Sequence, residues 1–248
     1  MSAPRKRNAY RSQHTLNKER QVAAALEQAV AHLEQRQFER AIQICQSVLP
    51  LTDERSYQRV ELLNCMGAAQ MMLRSYDEAY RTFSDALEIL PEDPYLWYNR
   101  GFASRQTMRS GRSLLDFEQA VALEGDGPAA AQYMQELQQA AYLVERYIEM
   151  RGAGFTLEQL IEQEDLFQQA VVSMDAQQWP AAEVALRRVI ALSDSLPQPW
   201  SNLGVCLMMQ QRWDAAADAL RRALALKPDY QNAADNLATL AMLRAQGE

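Results

Sequence analysis

The chain contains few of the residues that build metal centres, disulfide frameworks or catalytic sites. Three cysteines and two histidines occur in 248 residues. Cys45, Cys65 and Cys206 lie far apart in the sequence and form no closely spaced pair, which argues against both a disulfide framework and a zinc site. A lone helical histidine such as His32 is usually packed or solvated. We therefore expect no metal, no cofactor and no catalytic residue.

Long apolar runs are also absent. The apolar stretch at Val205–Met209 falls far short of the roughly 20 residues that span a bilayer. Residues Met1–Arg20 are basic and polar and lack the apolar core that a secretory signal requires. No glycine-rich phosphate loop follows a strand, because no strand is apparent. These features predict a cytoplasmic protein that has no membrane span, takes no small-molecule substrate and is not an enzyme.

Charge is distributed unevenly along the chain. Residues 1–20 hold six basic residues and one acidic residue, a local charge of +5, while the other residues hold 19 basic and 31 acidic residues, a charge of −12. A short basic segment of this kind is typical of a disordered tail that can fold back on the carboxylates of an acidic body. The alternative is a contact with nucleic acid or an anionic membrane, although no aromatic platform accompanies the basic residues.

A recurring arrangement of small, large and helix-stopping residues dominates the rest of the sequence. In residues 200–228 it runs Trp200, Leu203, Gly204 and Leu207, then Ala216, Leu220 and Ala223, then Pro228. The same layout appears upstream at spacings of about 34 residues, which is a helix-turn-helix period. The upstream windows are residues 22–53, 60–91, 94–125 and 163–194.

Close packing of two antiparallel helices explains this pattern. Such helices need a small residue where they cross, so we expect Gly67 to face Ala79 and Gly204 to face Ala216. A bulky residue a few places further on, such as Phe83, is then expected to fill the wedge where the next repeat stacks.

With these residues the sequence resembles the tetratricopeptide repeat (TPR) family. The resemblance implies an all-α fold, a right-handed helical-repeat solenoid (the TPR superhelix) with an irregular long helix between two repeat blocks. The expected organisation is a basic, disordered tail at residues 1–20, a block of three units at 21–127, an irregular spacer helix at 128–161, a block of two units at 162–229 and a C-terminal capping helix at 230–248.

Residues 128–161 occupy almost one repeat length without carrying the repeat signature. From Pro128 the chain runs to Arg151 without glycine or proline, and its apolar residues alternate at spacings of four and three. A second apolar stripe widens this face beyond that of a two-helix seam, so we expect the helix to have two packing partners. It either packs on both repeat blocks or forms a homodimer.

The resemblance also implies which surface binds a ligand, because in this family the first helix of each unit lines the concave side. That surface is rich in tyrosine and methionine, which favours an apolar or amphipathic peptide or helix. Alternatively, several of these side chains pack against the spacer helix. The predicted peptide-binding residues are Leu26, Val30, Asn64, Met71, Met72, Tyr95, Tyr98, Asn99, Phe102 and Arg105.

The two-carboxylate clamp, by which some members of the family grip acidic chaperone tails, does not match this sequence. Leu26 and Val30 stand where the lysine and asparagine of the first unit would be, and Cys65 stands at the asparagine position of the second. The third unit has Tyr95 and Asn99 in place of a basic pair. An acidic terminal peptide would therefore find few opposite charges.

We therefore expect a non-catalytic protein–protein interaction adaptor or assembly factor whose partner is another protein or peptide. One alternative is a regulatory module that recruits nucleic acid or an anionic surface through the basic segment. The other is a homo-oligomeric scaffold that uses the wide helix face of residues 130–150. Cys65 is the one reactive candidate near the predicted groove, and we interpret it as a structural residue.

Overall fold

The described part of the chain consists of α-helices joined by short turns. The computed structural model describes the backbone of residues 4–247 and the side chains of residues 15–245. No strand occurs within residues 4–247, so the predicted all-α helical-repeat fold is confirmed. The helices are α1 (Pro4–Glu34), α2 (Phe38–Val48), α3 (Tyr57–Met72), α4 (Tyr76–Ile89), α5 (Pro94–Gln106), α6 (Ser110–Glu124), α7 (Ala130–Arg151), α8 (Leu157–Asp175), α9 (Trp179–Leu192), α10 (Pro197–Met209), α11 (Trp213–Leu226) and α12 (Gln231–Gly247).

The chain divides into two compact units. Unit 1 comprises the residues up to 108 together with 112–140, and unit 2 comprises residues 109–111 together with those from 141 onwards. Unit 1 contains the hairpins α1/α2 and α3/α4, followed by α5, most of α6 and the first half of α7. Unit 2 contains the second half of α7, the hairpins α8/α9 and α10/α11, and α12.

Apolar side chains with small residues among them fill the core of each unit. In unit 1 one cluster joins α1, α2 and α3, and a second joins α3, α4 and α5. In unit 2 a single cluster extends from α8 to α12. The largest fully buried side chains are those of Phe83, Phe117, Leu62, Leu96, Leu160, Leu186, Leu203, Leu207 and Leu220.

The helix crossings differ from the prediction in one respect. A Cβ atom built on Gly67 would lie 2.6 Å from the ring of Phe83, and one built on Gly204 would lie 2.6 Å from Cγ of Leu220. The glycines therefore receive the bulky residue of their own hairpin. Gly204 also faces Ala216 as expected, since the carbonyl oxygen of Ala216 would lie 3.4 Å from the added Cβ atom, whereas the atoms nearest to Gly67 belong to Phe83 and not to Ala79. The reason is that the bulky residue lies one helical turn beyond the alanine, where it can reach across the crossing.

All five hairpin turns use the same backbone geometry. Each contains a non-glycine residue in the left-handed region, with φ between 57° and 61°: Arg36, Arg74, Met108, Gln177 and Gln211. In the first turn the amide of Arg36 bonds to the carbonyl oxygen of Leu33 at 3.0 Å, and the amide of Gln37 bonds to that of His32 at 2.8 Å. This is a Schellman motif, which satisfies carbonyl groups at the end of the first helix and reverses the chain.

The spacing of these turns follows the repeat period with two deviations. Arg36 and Arg74 lie further apart than one period, because a short 3-10 helix, Leu49–Leu51, lengthens the connection between the first two hairpins. A further turn would be expected about 34 residues after Met108, near Tyr142. Tyr142 instead lies inside the uninterrupted helix α7, so α7 is a first helix without a hairpin partner of its own.

The N-terminal segment differs from the predicted disordered tail. Helix α1 begins at Pro4, so the backbone of residues 4–20 is helical. The segment contains neither glycine nor an internal proline, and helix propagation from the packed part of α1 costs little once that part is formed. Pro4 suits the first position of a helix, where its missing amide hydrogen is not needed. The side chains of Arg5, Lys6, Arg7 and Arg11 lie outside the described residues.

The last helix, α12, packs on unit 2 through a narrow apolar face. Ala233 and Leu240 of α12 are buried and Leu237 is half-buried. Ala234 and Ala241, which lie next to Ala233 and Leu240 in the sequence, are exposed. The apolar face of α7 is only partly buried as well. Its Tyr133, Ala140 and Val144 are buried, whereas Met134 and Met150 are exposed.

A buried carboxylate of α8, that of Glu164, binds the first amide groups of α6 and makes the stability of unit 2 depend on pH. The amide groups of Ser110 and Gly111, which belong to this unit, donate to Oε1 and Oε2 of Glu164 at 2.9 and 3.0 Å. Burial raises the pKa of Glu164 to about 7, and the two amides and the nearby Arg151 oppose that shift. Folding therefore increases the proton affinity of this group.

We predict a pH-dependent stability that depends on Glu164. The folded state holds the proton more tightly than the unfolded state, so the contribution is fully present below about pH 4.5 and is lost as the pH rises through about 7. The free energy of unfolding of the wild type should fall across this window relative to Glu164→Gln, by up to about 3 kcal/mol. Denaturant titrations at several pH values measure this difference. Glu162→Gln, on the same helix, is the control, and a difference that does not change with pH would contradict the prediction.

We also predict that Gly204→Ala destabilises unit 2 although alanine is the better helix former. The added methyl group would meet Leu220, and overpacking of this kind costs about 1–3 kcal/mol. In a Leu220→Ala background the same change should stabilise by up to about 1 kcal/mol, because only the helix propensity remains. A double-mutant cycle from urea denaturation measures the coupling. If the free-energy changes of Gly204→Ala and Leu220→Ala were additive, the contact between these two residues would not limit how closely α10 and α11 approach.

Candidate functional site

The first helices of unit 1 pack side by side. Helix α1 contacts α3, and α3 contacts α5. We call their surface the first-helix face, and define it by the residues on it that remain accessible or half-buried: Leu26, Val30, Asn64, Met71, Met72, Tyr95 and Asn99.

Three apolar side chains on this face are exposed, one from each helix. The exposed fractions are 42% for Val30, 54% for Met72 and 49% for Tyr95. Leu26 and Met71 are half-buried beside them. Seven of the ten predicted binding residues are therefore exposed or half-buried.

The other three predicted residues make contacts within unit 1: Tyr98 is buried, and Phe102 and Arg105 are half-buried. Tyr98 is only 7% exposed, because its ring stacks on Tyr133 of α7 at a centroid distance of 4.4 Å. Its ring also lies 4.9 Å from that of Phe102, which in turn lies 5.5 Å from Phe117. The prediction that Tyr98 and Phe102 line an open groove is corrected by this geometry: both belong to an aromatic cluster between α5, α6 and α7.

Arg105 is also engaged within unit 1. Its Nη1 lies 2.7 Å from Oε2 of Glu136 on α7, and its guanidinium lies over the ring of Phe102 at 4.5 Å. Because the positive charge is compensated by Glu136, Arg105 offers little attraction to an acidic ligand. The structure therefore supports the alternative that part of the predicted groove packs against the spacer helix.

The aromatic cluster contains two buried tyrosines that remain neutral at physiological pH. The hydroxyl oxygen of Tyr98 accepts a hydrogen bond from Nε2 of Gln132 at 2.5 Å. Burial raises the pKa of Tyr98 and raises that of Tyr133 to about 12. The cluster is therefore an uncharged structural element.

One polar atom on the first-helix face has no partner. Oδ1 of Asn64 is buried and accepts no hydrogen bond from the described part of the chain. A buried acceptor without a donor costs free energy.

The sequence contained a signal for the residues of α7 that we did not identify. Gln132 lies one repeat period after Tyr98, and Tyr133 lies one period after Asn99, so α7 continues the register of the first helices. Without a recognisable second helix after it, this register was not visible as a repeat.

Unit 2 offers a smaller accessible surface at the equivalent positions. Met209 is exposed, and Phe167, Val171, Met174, Asn202 and Val205 are half-buried. Ser201 and Met208 are buried, and Nδ2 of Asn236 on α12 donates to Oγ of Ser201 at 3.4 Å. Helix α12 therefore covers part of α10.

No ligand set for a metal ion occurs among the described side chains, in which no group of three or more histidine, cysteine or acidic residues comes together. His32 is half-buried, and its Nδ1 lies 2.5 Å from Oε1 of Gln37 at the first hairpin turn. Of the helices described, none has both the length and the hydropathy required to cross a bilayer.

Comparison with known proteins places one repeat of this chain in a family. Residues 197–230, which contain α10 and α11, match the tetratricopeptide repeat model. No curated protein sequence matches the chain significantly.

Several solved structures are similar to it at low sequence identity. The TPR2AB domain of yeast Sti1, in a complex with pHSP90, is 18% identical, with a TM-score of 0.44 over 91% of this chain and 84% of that one. YrrB, a TPR protein with an unusual peptide-binding site, is 15% identical, with a TM-score of 0.39 over 90% and 95%. A TPR protein from Parabacteroides merdae ATCC 43184 is 15% identical, with a TM-score of 0.43 over 89% and 84%.

Because these TM-scores are below 0.5, the assignment rests on the matched repeat and on the internal recurrence of its geometry. The turn of the matched repeat at Gln211 has the same left-handed conformation as the other four hairpin turns. One unit matches the tetratricopeptide repeat model and four more hairpins share its turn geometry, which together support a tetratricopeptide repeat protein.

Proposed function

We propose that this protein is a non-catalytic protein–protein interaction adaptor or assembly factor that receives an apolar or amphipathic peptide or helix on the first-helix face of unit 1. The observation that carries the proposal is the row of exposed apolar side chains at Val30, Met72 and Tyr95, one on each of three neighbouring helices. Contiguous exposed apolar side chains are uncommon on soluble proteins unless they meet a partner.

The chemistry of these side chains supports a helix or peptide as the occupant. Methionine adapts its shape to different partners, and tyrosine combines a large apolar ring with a hydroxyl group. Since Arg105 is paired with Glu136, an acidic terminal peptide is not the ligand that we propose.

A cytoplasmic location belongs to the same proposal. The three cysteines are free and buried, which is the state expected in a reducing compartment.

The charge of residues 1–20 supports a second candidate, in which this segment recruits nucleic acid or an anionic surface. Such binding would weaken steeply with added salt and would disappear on deletion of residues 1–18, whereas binding of a peptide to the first-helix face should survive both changes. A homo-oligomeric scaffold is the third candidate, and light scattering on the purified chain tests it.

One prediction of the proposed function concerns Met72→Glu. A charge on the first-helix face should weaken binding of apolar or amphipathic peptides, selected from a random displayed library by the wild type, by about tenfold or more. Fluorescence anisotropy of the selected peptides measures this effect. Leu115→Glu is the matched control, because Leu115 is an exposed apolar residue of α6. Equal binding by both variants would place the peptide elsewhere.

A further prediction distinguishes residues that bind the peptide from residues that stabilise the fold. Tyr98→Ala should lower the free energy of unfolding by about 3–5 kcal/mol, because it leaves a cavity in the aromatic cluster. Tyr95→Ala should change it by less than about 0.5 kcal/mol, because the side chain is half exposed, but should weaken peptide binding. Thermal unfolding and anisotropy on both variants give the two readouts. If Tyr95→Ala binds as the wild type does, α5 is not part of the binding surface.

A further inference from the structure

Helix α8 of unit 2 carries charge of one sign only. Its residues Leu157–Asp175 include five acidic side chains and no lysine, arginine or histidine. Three of the five border an open groove of about 410 Å³. We call it the α8 groove, and its lining residues are Glu158, Ile161, Glu162, Asp165, Leu166 and Gln169.

The α8 groove has an apolar floor and a polar rim. Leu166 is 6% exposed and Ile161 is half-buried, whereas Glu158, Glu162 and Gln169 are exposed. A surface of this kind suits an amphipathic segment, because the floor receives an apolar side chain while the rim attracts the opposite charge.

Two carboxylates of the rim can receive a positive charge. Its own backbone amide and the hydroxyl of Thr156 lower the pKa of Glu158, so this group is ionised at neutral pH. Glu162 pairs with Arg188, whose Nη2 lies 3.2 Å from Oε1, and both side chains are half exposed or more. An exposed ion pair of this kind contributes little to stability, so an incoming basic side chain can replace Arg188.

The chain itself contains a segment of complementary charge. Residues 5–20 hold six basic residues and one acidic residue, and their backbone forms the start of α1. The side chains of residues 15–21 are all exposed, including Leu16 at 49%. Val22 is the first buried side chain of the described part of α1. The basic segment therefore extends beyond the packed part of this helix.

The geometry of α1 directs this segment towards another molecule. Residues 4–20 add about 25 Å to the helix, at 1.5 Å per residue. Because α1 is uninterrupted from Pro4 to Glu34, the segment projects along the helix axis and does not turn back on α2 and α3. An exposed helical segment of this length is marginally stable in water, and a docking site would stabilise it.

We propose that the basic N-terminal part of α1 docks into the α8 groove of a second copy of this chain. Leu16 contacts the apolar floor, and Lys18 and Arg20 contact the acidic rim. This inference stands on charge and exposure in two parts of the molecule and does not depend on the proposed binding function.

The contact is heterologous, because the surface that one copy donates differs from the surface that receives it. Two copies can exchange their α1 segments and form a closed dimer, and otherwise the contact repeats along a row of copies. The association weakens with added salt, because ions screen the charges of the interface. It differs from a homodimer through the wide helix face of residues 130–150, in which α7 of one copy would pack on α7 of the other.

Sedimentation velocity on the full chain tests the association. At low ionic strength the weight-average mass should rise with protein concentration, and added salt should raise the dissociation constant by about tenfold or more. Deletion of residues 2–18 should abolish the association while it leaves the packed part of α1 from Val22 onwards intact. A chain that stays monomeric at low salt would overturn the proposal, and so would association that survives the deletion.

Two charge changes identify the receiving surface. Glu158→Lys and Gln169→Lys should each raise the dissociation constant by about tenfold. Gln169 lies outside the first turn of α8, so its variant leaves the N-terminal cap of that helix unchanged. Glu78→Lys is the matched control, because Glu78 is also an exposed acidic residue in the first turn of its helix, and Tyr142→Lys places the same charge on the exposed part of α7. Unchanged association in both groove variants, or loss of association in either control, would assign the contact to another surface.

Cross-linking shows which segments meet. The chain has three lysines, and two of them, Lys6 and Lys18, lie in the basic segment, while the third is Lys227. A carbodiimide joins a lysine amine to a carboxylate that it contacts. In an equal mixture of isotope-labelled and unlabelled chains, the digest should contain mixed-isotope peptides that join Lys6 or Lys18 to a carboxylate of α8. Links within one isotope only, or links from Lys227 alone, would overturn the proposal.

Discussion

Three hairpins of this protein depend on a close approach between a glycine of the first helix and a larger residue of the second. At Gly67 the space that a Cβ atom would need is filled by Phe83, and at Gly204 it is filled by Leu220. Because protein interiors are packed to crystal density, such a contact fixes both the distance and the rotation of the two helices. The face of the first helix that points away from the contact is thereby fixed as well, and on α1, α3 and α5 this is the first-helix face.

The sequence was sufficient to predict the repeat and its five hairpins, because glycine, alanine and bulky residues at a fixed interval permit few arrangements other than paired helices. It was insufficient to predict which side chains remain accessible. Tyr98 and Met72 both belong to first helices, and composition does not distinguish them. Only the position of α7, whose Tyr133 stacks on Tyr98, separates the buried residue from the exposed one.

The position of α7 also determines the chemical character of the candidate surface. By pairing with Arg105 through Glu136, α7 compensates the positive charge on the C-terminal part of α5. What remains towards α1 is mainly apolar, at Val30, Met72 and Tyr95. The tetratricopeptide architecture is therefore compatible with very different ligands, and the side chains that neighbouring helices leave uncovered decide between them.

The left-handed hairpin turns control how fast a protease can cleave the folded chain. Arg36 and Arg74 are solvent-exposed arginines at loop tips, a location where trypsin usually nicks a folded protein. Both are held in tight turns by hydrogen bonds to the preceding helix, such as that from the amide of Ser75 to the carbonyl oxygen of Gln70 at 2.9 Å. A protease can cleave there only after the end of the preceding helix has unfolded locally. The rate of cleavage after Arg36 and Arg74 therefore reports how often each of the two hairpins opens.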